Sequence, residues 1–166
     1  MQFLIRSDTH GNRRGIEAAV ARQSNRLDGL LFLGDGALDL TRADLPQGLS
    51  IYAVRGNCDY PGEEAPPTEC LTALCGYTLL LTHGHLYGVK SGLERLLRAG
   101  VEKSADLLLY GHTHRAFEQY FPAGSAPFGF SLERPVWVFN PGSLKNGDFG
   151  ILTLTSEVVL FSHGRL

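Results

Sequence analysis

One pattern recurs six times along the chain: a short apolar run that ends in a small polar cluster. Phe3-Leu4-Ile5 leads into Ser7-Asp8-Thr9-His10-Gly11-Asn12, and Leu30 to Leu33 leads into Gly34-Asp35-Gly36. Ile51 to Val54 leads into Arg55-Gly56-Asn57-Cys58-Asp59, and Leu79 to Leu81 into Thr82-His83-Gly84-His85. Leu107 to Tyr110 leads into Gly111-His112-Thr113-His114, and Val136 to Phe139 into Asn140-Pro141-Gly142-Ser143. Apolar runs of this length, closed by turn residues, read as strands covered on both faces. The polar groups then stand just past the carboxyl ends of strands, where open α/β sheets place their sites.

Between these runs two helices are legible. Asn12 is the expected N-cap of a helix to about Arg26, with Ile16, Ala19, Val20 and Leu27 on one face. Ser91 and Glu94 have the spacing of a capping box for a helix carrying Leu93, Leu96 and Leu97, closed by Gly100. The tail differs. Phe117–Phe121, Pro135–Asn140, Phe149–Thr155 and Glu157–His163 read as consecutive strands joined by tight turns, which predicts a second, more antiparallel sheet. The expected class is α/β, with two packed sheets and outer helices. At 166 residues the chain is expected to be one domain over residues 1–166, with Tyr60–Thr68 and Pro122–Pro135 as surface loops.

Composition excludes several roles. A net charge of −2 and a pI near 6.3 leave no footprint for gripping extended nucleic acid. No apolar run approaches the roughly 20 residues that span a bilayer, and the N-terminus has no signal-peptide pattern, so no membrane association is expected. Cys58, Cys70 and Cys75 form no CxxC pair, which suits a reducing cytoplasm. Cys58 reads as a small buried filler, Cys70 and Cys75 as buried strand residues, Trp137 as core, and His163 as exposed.

Collected, the polar clusters form a metal inventory: Asp8, His10, Asp35, Asn57, His83, His112 and His114. In an extended segment residues i and i+2 point the same way, so Asp8 and His10 can approach one ion together. His112 and His114 share that spacing, though a bend would turn them to different ions. Mixed oxygen and nitrogen donors suit Mn²⁺, Fe, Ni²⁺, Zn²⁺ or Mg²⁺. Seven ligands fit two ions that share a carboxylate, and Asp35, set between two glycines, is the natural bridge. His85, two residues past His83, is a possible substrate contact. Arg13 and Arg14 open the first helix, where an anion could bind. Arg55 and Arg115 border ligands and are expected to be ion-paired. Asn140 and Ser143 are expected to shape a supporting loop.

The series Asp8-x-His10, Gly34-Asp35, Gly56-Asn57, His83-Gly84 and Gly111-His112-x-His114 resembles that of the calcineurin-like metallophosphoesterases. The short chain, Gly-Asn-Cys-Asp at 56–59 and Asn-Pro-Gly-Ser at 140–143 look like the small YfcE-like phosphodiesterase branch. The resemblance implies two packed mixed β-sheets flanked by helices, a four-layer α-β-β-α sandwich. It places a first ion on Asp8, His10, Asp35 and His114, and a second on Asp35, Asn57, His83 and His112. The implied cofactor is two divalent ions, Mn²⁺ foremost. The implied reaction is hydrolysis of a small phosphoester, with a metal-bridging hydroxide attacking phosphorus and Asp35, Asn57, His83 and His112 as the catalytic set.

Larger members of the superfamily have His directly after the motif Asn, where it can protonate the leaving group. Here that position is Cys58, so phosphodiesters or activated esters are the expected substrates. Two alternatives stand beside this reading. One is a non-catalytic, protein-binding scaffold of the same fold, like the related retromer subunit, whose mark would be degraded ligand positions. The other is a phosphomonoesterase or protein phosphatase on the same site.

Overall fold

The computed structural model describes residues 1–23 and 26–166. All six apolar runs form strands: β1 (Gln2–Arg6), β2 (Gly29–Phe32), β3 (Ser50–Ala53), β5 (Tyr77–Thr82), β6 (Leu107–Leu109) and β8 (Val136–Pro141). The others are β4 (Glu69–Leu74), β7 (Ala116–Phe121), β9 (Asp148–Leu154) and β10 (Val159–Arg165). They make two five-stranded sheets, ordered β10-β9-β1-β2-β3 and β4-β5-β6-β8-β7. The six runs are the parallel strands, three adjacent in each sheet (β1-β2-β3 and β5-β6-β8), and antiparallel strands complete both. Both sheets are therefore mixed.

The period-2 alternation of the strands distributes their side chains over three apolar layers. Phe3, Ile5, Leu31 and Leu33 from one sheet meet Leu79, Leu81, Leu107, Leu109 and Phe139 from the other. On the outer face of the first sheet, Leu4, Leu30 and Phe32 pack on Ile16, Ala19 and Val20 of α1 (Arg13–Gln23). On the outer face of the second, Leu80, Leu108 and Val138 pack on Leu96 and Leu97 of α3 (Glu94–Glu102). A short α2 (Ala37–Arg42) lies beside α1. The result is the α-β-β-α sandwich. Among the described residues no helix is long and apolar enough to cross a membrane.

Several sequence expectations are corrected. The tail does not form its own sheet: β7 and β8 join the second sheet, whereas β9 pairs with β1 in the first and β10 pairs with β9 at its edge. Hydrophobic pattern shows that a segment is a strand but not which edge it joins. β3 is an edge strand and is exposed or half-buried, not covered on both faces. Asn12 does cap α1, its Oδ1 accepting the Gly15 N–H at 3.0 Å. The helix is described to Gln23; Ser24 and Asn25 lie outside the described residues, and Arg26 is in a turn rather than the helix. Ser91 caps nothing. Leu93 occupies the cap position of α3 with no side-chain bond, and the helix runs through Gly100 to Glu102. Gly100 is there for closeness, because a Cβ would stand 2.6 Å from Leu108 Cδ2. Cys58 is exposed, Cys70 half-buried in β4, and Cys75 half-buried in a turn at φ 52°. Trp137 is partly buried against the core, and His163 is exposed.

The two sheets meet closely at Gly150 in β9. A Cβ there would stand 2.5 Å from Phe139 Cε1 and 3.3 Å from Ile5 Cβ. Phe139 cannot yield, since it stacks on Phe161 and His163 at centroid distances of 4.4 and 4.5 Å. Gly150→Ala is expected to destabilise by about 1–3 kcal/mol through overpacking, despite the ordinary preference for Ala over Gly in a strand. Thermal melting measures it, and an unchanged or raised Tm would contradict it.

Candidate metal centre

The polar clusters turn sharply at the strand ends. Asp8, His10, Asp35, His112 and His114 all have left-handed backbone, at φ 56°, 45°, 56°, 67° and 58°. Asp and His tolerate this region better than most residues, yet each costs about 1–3 kcal/mol unless its surroundings impose it. The extended geometry expected for Asp8-x-His10 is therefore wrong, although the two side chains still meet.

Hydrogen bonds impose the turns. The Asp8 N–H donates to Gly34 O and the Thr9 N–H to Asp35 O, both at 2.9 Å. The Asp59 carboxylate accepts the N–H groups of Asp35, Gly36, Ala37 and Gly56 at 2.7–2.8 Å. It thereby pins the loop after β2 to the loop after β3. Asp39 accepts the Gly11 N–H at 2.8 Å and the Thr9 hydroxyl. Ser143 Oγ donates to Asp8 O at 3.0 Å, and Asn140 Nδ2 to Gly111 O at 2.8 Å. So the Asn-Pro-Gly-Ser loop does brace the site. Two glycines permit close approach: a Cβ on Gly56 would overlap the Asp35 carboxylate, and one on Gly111 would overlap Ser7 Oγ.

Two clusters of ligand-type atoms result, one of Asp8, His10 and His114 and one of Asp35, His83 and His112, each within 4.8 Å. His114 Nε2 stands 3.0 Å from Asp8 Oδ1 and 3.3 Å from His10 Nε2. His83 Nε2 stands 3.3 Å from Asp35 Oδ2, 3.2 Å from His112 Nδ1 and 3.9 Å from Asp8 Oδ1. His112 and His114 thus face different clusters, as the bend allowed. Asp35 groups with the second; with the first it is linked through His10, in a third cluster of His10, Asp35 and Cys58. Reading Cys58 as buried filler concealed that cluster. Asn57 is exposed and its amide donates to Cys58 Sγ at 3.3 Å, beside that third cluster.

The flanking residues sort by contact. The His85 ring lies 5.5 Å from that of His83 and 6.1 Å from that of His112, with Nδ1 buried and unpartnered. Arg13 pairs with Glu17 at 3.3 Å, and Arg14 is exposed. The ion pairing expected for Arg55 and Arg115 is not found among the described residues.

Charge follows the geometry. Burial would raise the Asp35 carboxyl, but His83 and the Cys58 N–H hold it well below the ordinary carboxylate range. Burial would lower the His83 imidazole, but Asp35 and Asp8 outweigh it and the net shift is upward. His112 is lowered to about 4 by burial, then by His83 and Lys90. His85 is also lowered, by burial and then by His83.

The donor set fits divalent cations. Asp8 Oδ1 is fully buried with no hydrogen-bond partner, a state that costs about 1–3 kcal/mol or more unless a cation occupies its lone pairs. Three imidazoles converge on it. His83 Nδ1 faces Leu33 O at 2.7 Å; donation there fixes the tautomer and leaves Nε2 free to ligate.

Residues 1–160 match the family model of the calcineurin-like phosphoesterase superfamily domain. The chain belongs to the calcineurin-like phosphoesterases. The probable metallophosphoesterase YsnB of Bacillus subtilis is 30% identical over 164 residues, covering 95% of this chain and 86% of that protein. The phosphodiesterase YfcE of Escherichia coli is 28% identical, covering 87% of this chain and 79% of YfcE. Vps29 of Entamoeba histolytica has the same fold at a TM-score of 0.70 and 17% identity, covering 100% of this chain and 99% of that one.

In this calcineurin-like centre, His83 must shed its raised proton before Nε2 can ligate. Metal affinity is therefore expected to fall as pH drops through the His83 pKa, by about tenfold per pH unit for each proton displaced. Calorimetric Mn²⁺ titrations near pH 6 and pH 8, in buffers of different ionisation enthalpy, measure both affinity and proton release. Equal affinity at the two pH values would contradict the expectation.

Proposed function

We propose that the protein is a cytoplasmic, dinuclear metal-dependent phosphodiesterase acting on small phosphoesters. The carrying observation is the pair of clusters, Asp8/His10/His114 and Asp35/His83/His112, each with one buried carboxylate. Asp8, His10, Asp35 and His114 would hold one ion, and Asp35, Asn57, His83 and His112 the other, Mn²⁺ foremost. Two carboxylates against two divalent ions leave a net charge of about +2, which attracts a phosphate anion. Bound ions would supply Lewis-acid polarisation of the phosphoryl oxygens and a water acidic enough to ionise near neutral pH. Water adds to phosphorus and one ester P–O bond breaks, giving a phosphomonoester and an alcohol.

The chain's own residues do the positioning. Asp35 is held by the Cys58 N–H at 2.8 Å, and its backbone by Asp59, so the loop that carries Asp35 is pinned to the loop after β3. Cys58 in place of a leaving-group imidazole favours diesters and activated esters over alkyl monoesters. The free thiols Cys58, Cys70 and Cys75 suit a reducing compartment. Because a fold alone does not carry an activity, the reading rests on this ligand set and not on the sandwich.

The test is hydrolysis of bis-p-nitrophenyl phosphate with Mn²⁺ and with a chelator. Turnover is expected only with metal, and faster than that of p-nitrophenyl phosphate. Asp35→Asn keeps an oxygen for the Cys58 N–H and should stay folded, while kcat/KM falls by about 10²–10³-fold or more. Metal-independent turnover, or an unimpaired Asp35→Asn enzyme, would overturn the proposal. A folded, metal-loaded protein with no turnover would favour the scaffold reading.

A further inference from the structure

Two open cavities adjoin the centre, alike in size and opposite in charge. The first, about 670 Å³, is lined by Lys90, Ser91, Leu93, Thr113, Arg115 and Phe117 among others. Thr113, between His112 and His114 in sequence, and Arg115, next after His114, both line this cavity, so it lies beside the centre. The second, about 660 Å³, shares no lining residue with the first and is lined by Leu38, Cys58, Tyr60, Glu63, Glu64 and Pro66 among others. It also begins at the centre, because Cys58 Sγ clusters within 4.8 Å of ligand atoms of His10 and Asp35. Each volume suits a group of nucleotide size.

The charges differ in sign. Lys90 and Arg115 are exposed, and neither has an ion-pair partner among the described residues. An unpaired ammonium and guanidinium on one cavity, with the Ser91 and Thr113 hydroxyls beside them, make a phosphate-type binding set. Phe117 and Leu93 add an apolar wall. The second cavity carries the exposed carboxylates of Glu63 and Glu64 beside Leu38, Pro66 and Tyr60, the last 93% exposed. An anionic group is repelled there, and an uncharged, flat or apolar group is accommodated.

We infer that the substrate is an unsymmetrical phosphodiester whose one arm carries a phosphate of its own, seated between Lys90 and Arg115, and whose other arm is uncharged. This rests on the phosphodiesterase reading. The scissile phosphorus stays at the centre, and hydrolysis releases one arm as an alcohol and the other as a monoester. The charge difference between the cavities fixes which arm goes where.

The test compares a dinucleotide bearing a 5′-phosphate with the same dinucleotide lacking it, with bis-p-nitrophenyl phosphate as reference. The phosphorylated dinucleotide is expected to show kcat/KM about tenfold higher, expressed in KM, and Lys90→Ala/Arg115→Ala to erase that preference. Independently of turnover, titration with AMP should shift the amide resonances of Lys90, Thr113, Arg115 and Phe117 in the wild type, and not in the double variant. Absence of hydrolysis of every diester would defeat the phosphodiesterase reading, and the AMP titration would still decide the Lys90–Arg115 site. Hydrolysis with no preference, a preference that survives the double variant, or AMP shifts confined to Tyr60–Glu64 would overturn this inference.

Discussion

Asp8 and Asp35 are buried carboxylates within 3.9 and 3.3 Å of one imidazole nitrogen, His83 Nε2. Removing an ion from water costs several kcal/mol even after the protein relaxes, and two like charges so close add to that. The surrounding structure opposes this burden with oriented donors. The Cys58 N–H points at Asp35 Oδ1 at 2.8 Å, and the His112 N–H at Asp8 Oδ2 at 3.1 Å. The His83 imidazole is shifted upward by Asp35 and Asp8, against its burial, and Asp8 Oδ1 has no hydrogen-bond partner. The proposed cations would add the positive charge that two buried carboxylates call for.

Such a cluster needs rigid walls. The two sheets supply them through the layer of Phe3, Ile5, Leu31, Leu33, Leu79, Leu81, Leu107 and Leu109, all buried, where each fully buried side chain contributes about 1.5–3 kcal/mol. This interior aligns the ends of β1, β2, β5 and β6 so that their loops converge. The left-handed turns at Asp8, Asp35, His112 and His114 then persist because Asp59, Asp39, Asn140 and Ser143 occupy the backbone groups around them. Strain at the strand ends is offset by burial between the sheets.

Much of this was legible in the residues. Apolar runs of three or four residues closed by Gly, Asn, Asp or His mark a strand and its loop, because such a run is too short for a helix and its polar close ends the strand. The ligand inventory followed from the same loops. What was not legible is non-local. Asp59 is one acidic residue in sequence and the acceptor of four N–H groups in space. Arg6 sits fully buried over Phe149 at 4.9 Å, with Nη1 donating to Asp148 O, and no local pattern announces it. The partition of the tail between two sheets depends on β9 meeting β1 across nearly the whole chain, a choice that β-propensity does not encode. Cys58 was misplaced because exposure of a thiol depends on the loop that carries it.

The rim of the centre also limits the chemistry. A leaving alkoxide needs a proton, and the nearby groups are poor sources. The Cys58 thiol is raised by its hydrogen bond to Asp35 and then by burial. The Asp59 carboxylate is committed to four backbone N–H groups, the clamp that shapes the Asp35 loop. His83 turns Nδ1 to Leu33 O and Nε2 into the cluster. His85 is lowered by burial and by His83, and so is neutral near neutral pH. In the proposed reaction, leaving groups that depart without a strong acid would be favoured. Substrate binding energy, drawn from arms seated in the flanking cavities, would then supply the orientation that acid catalysis does not.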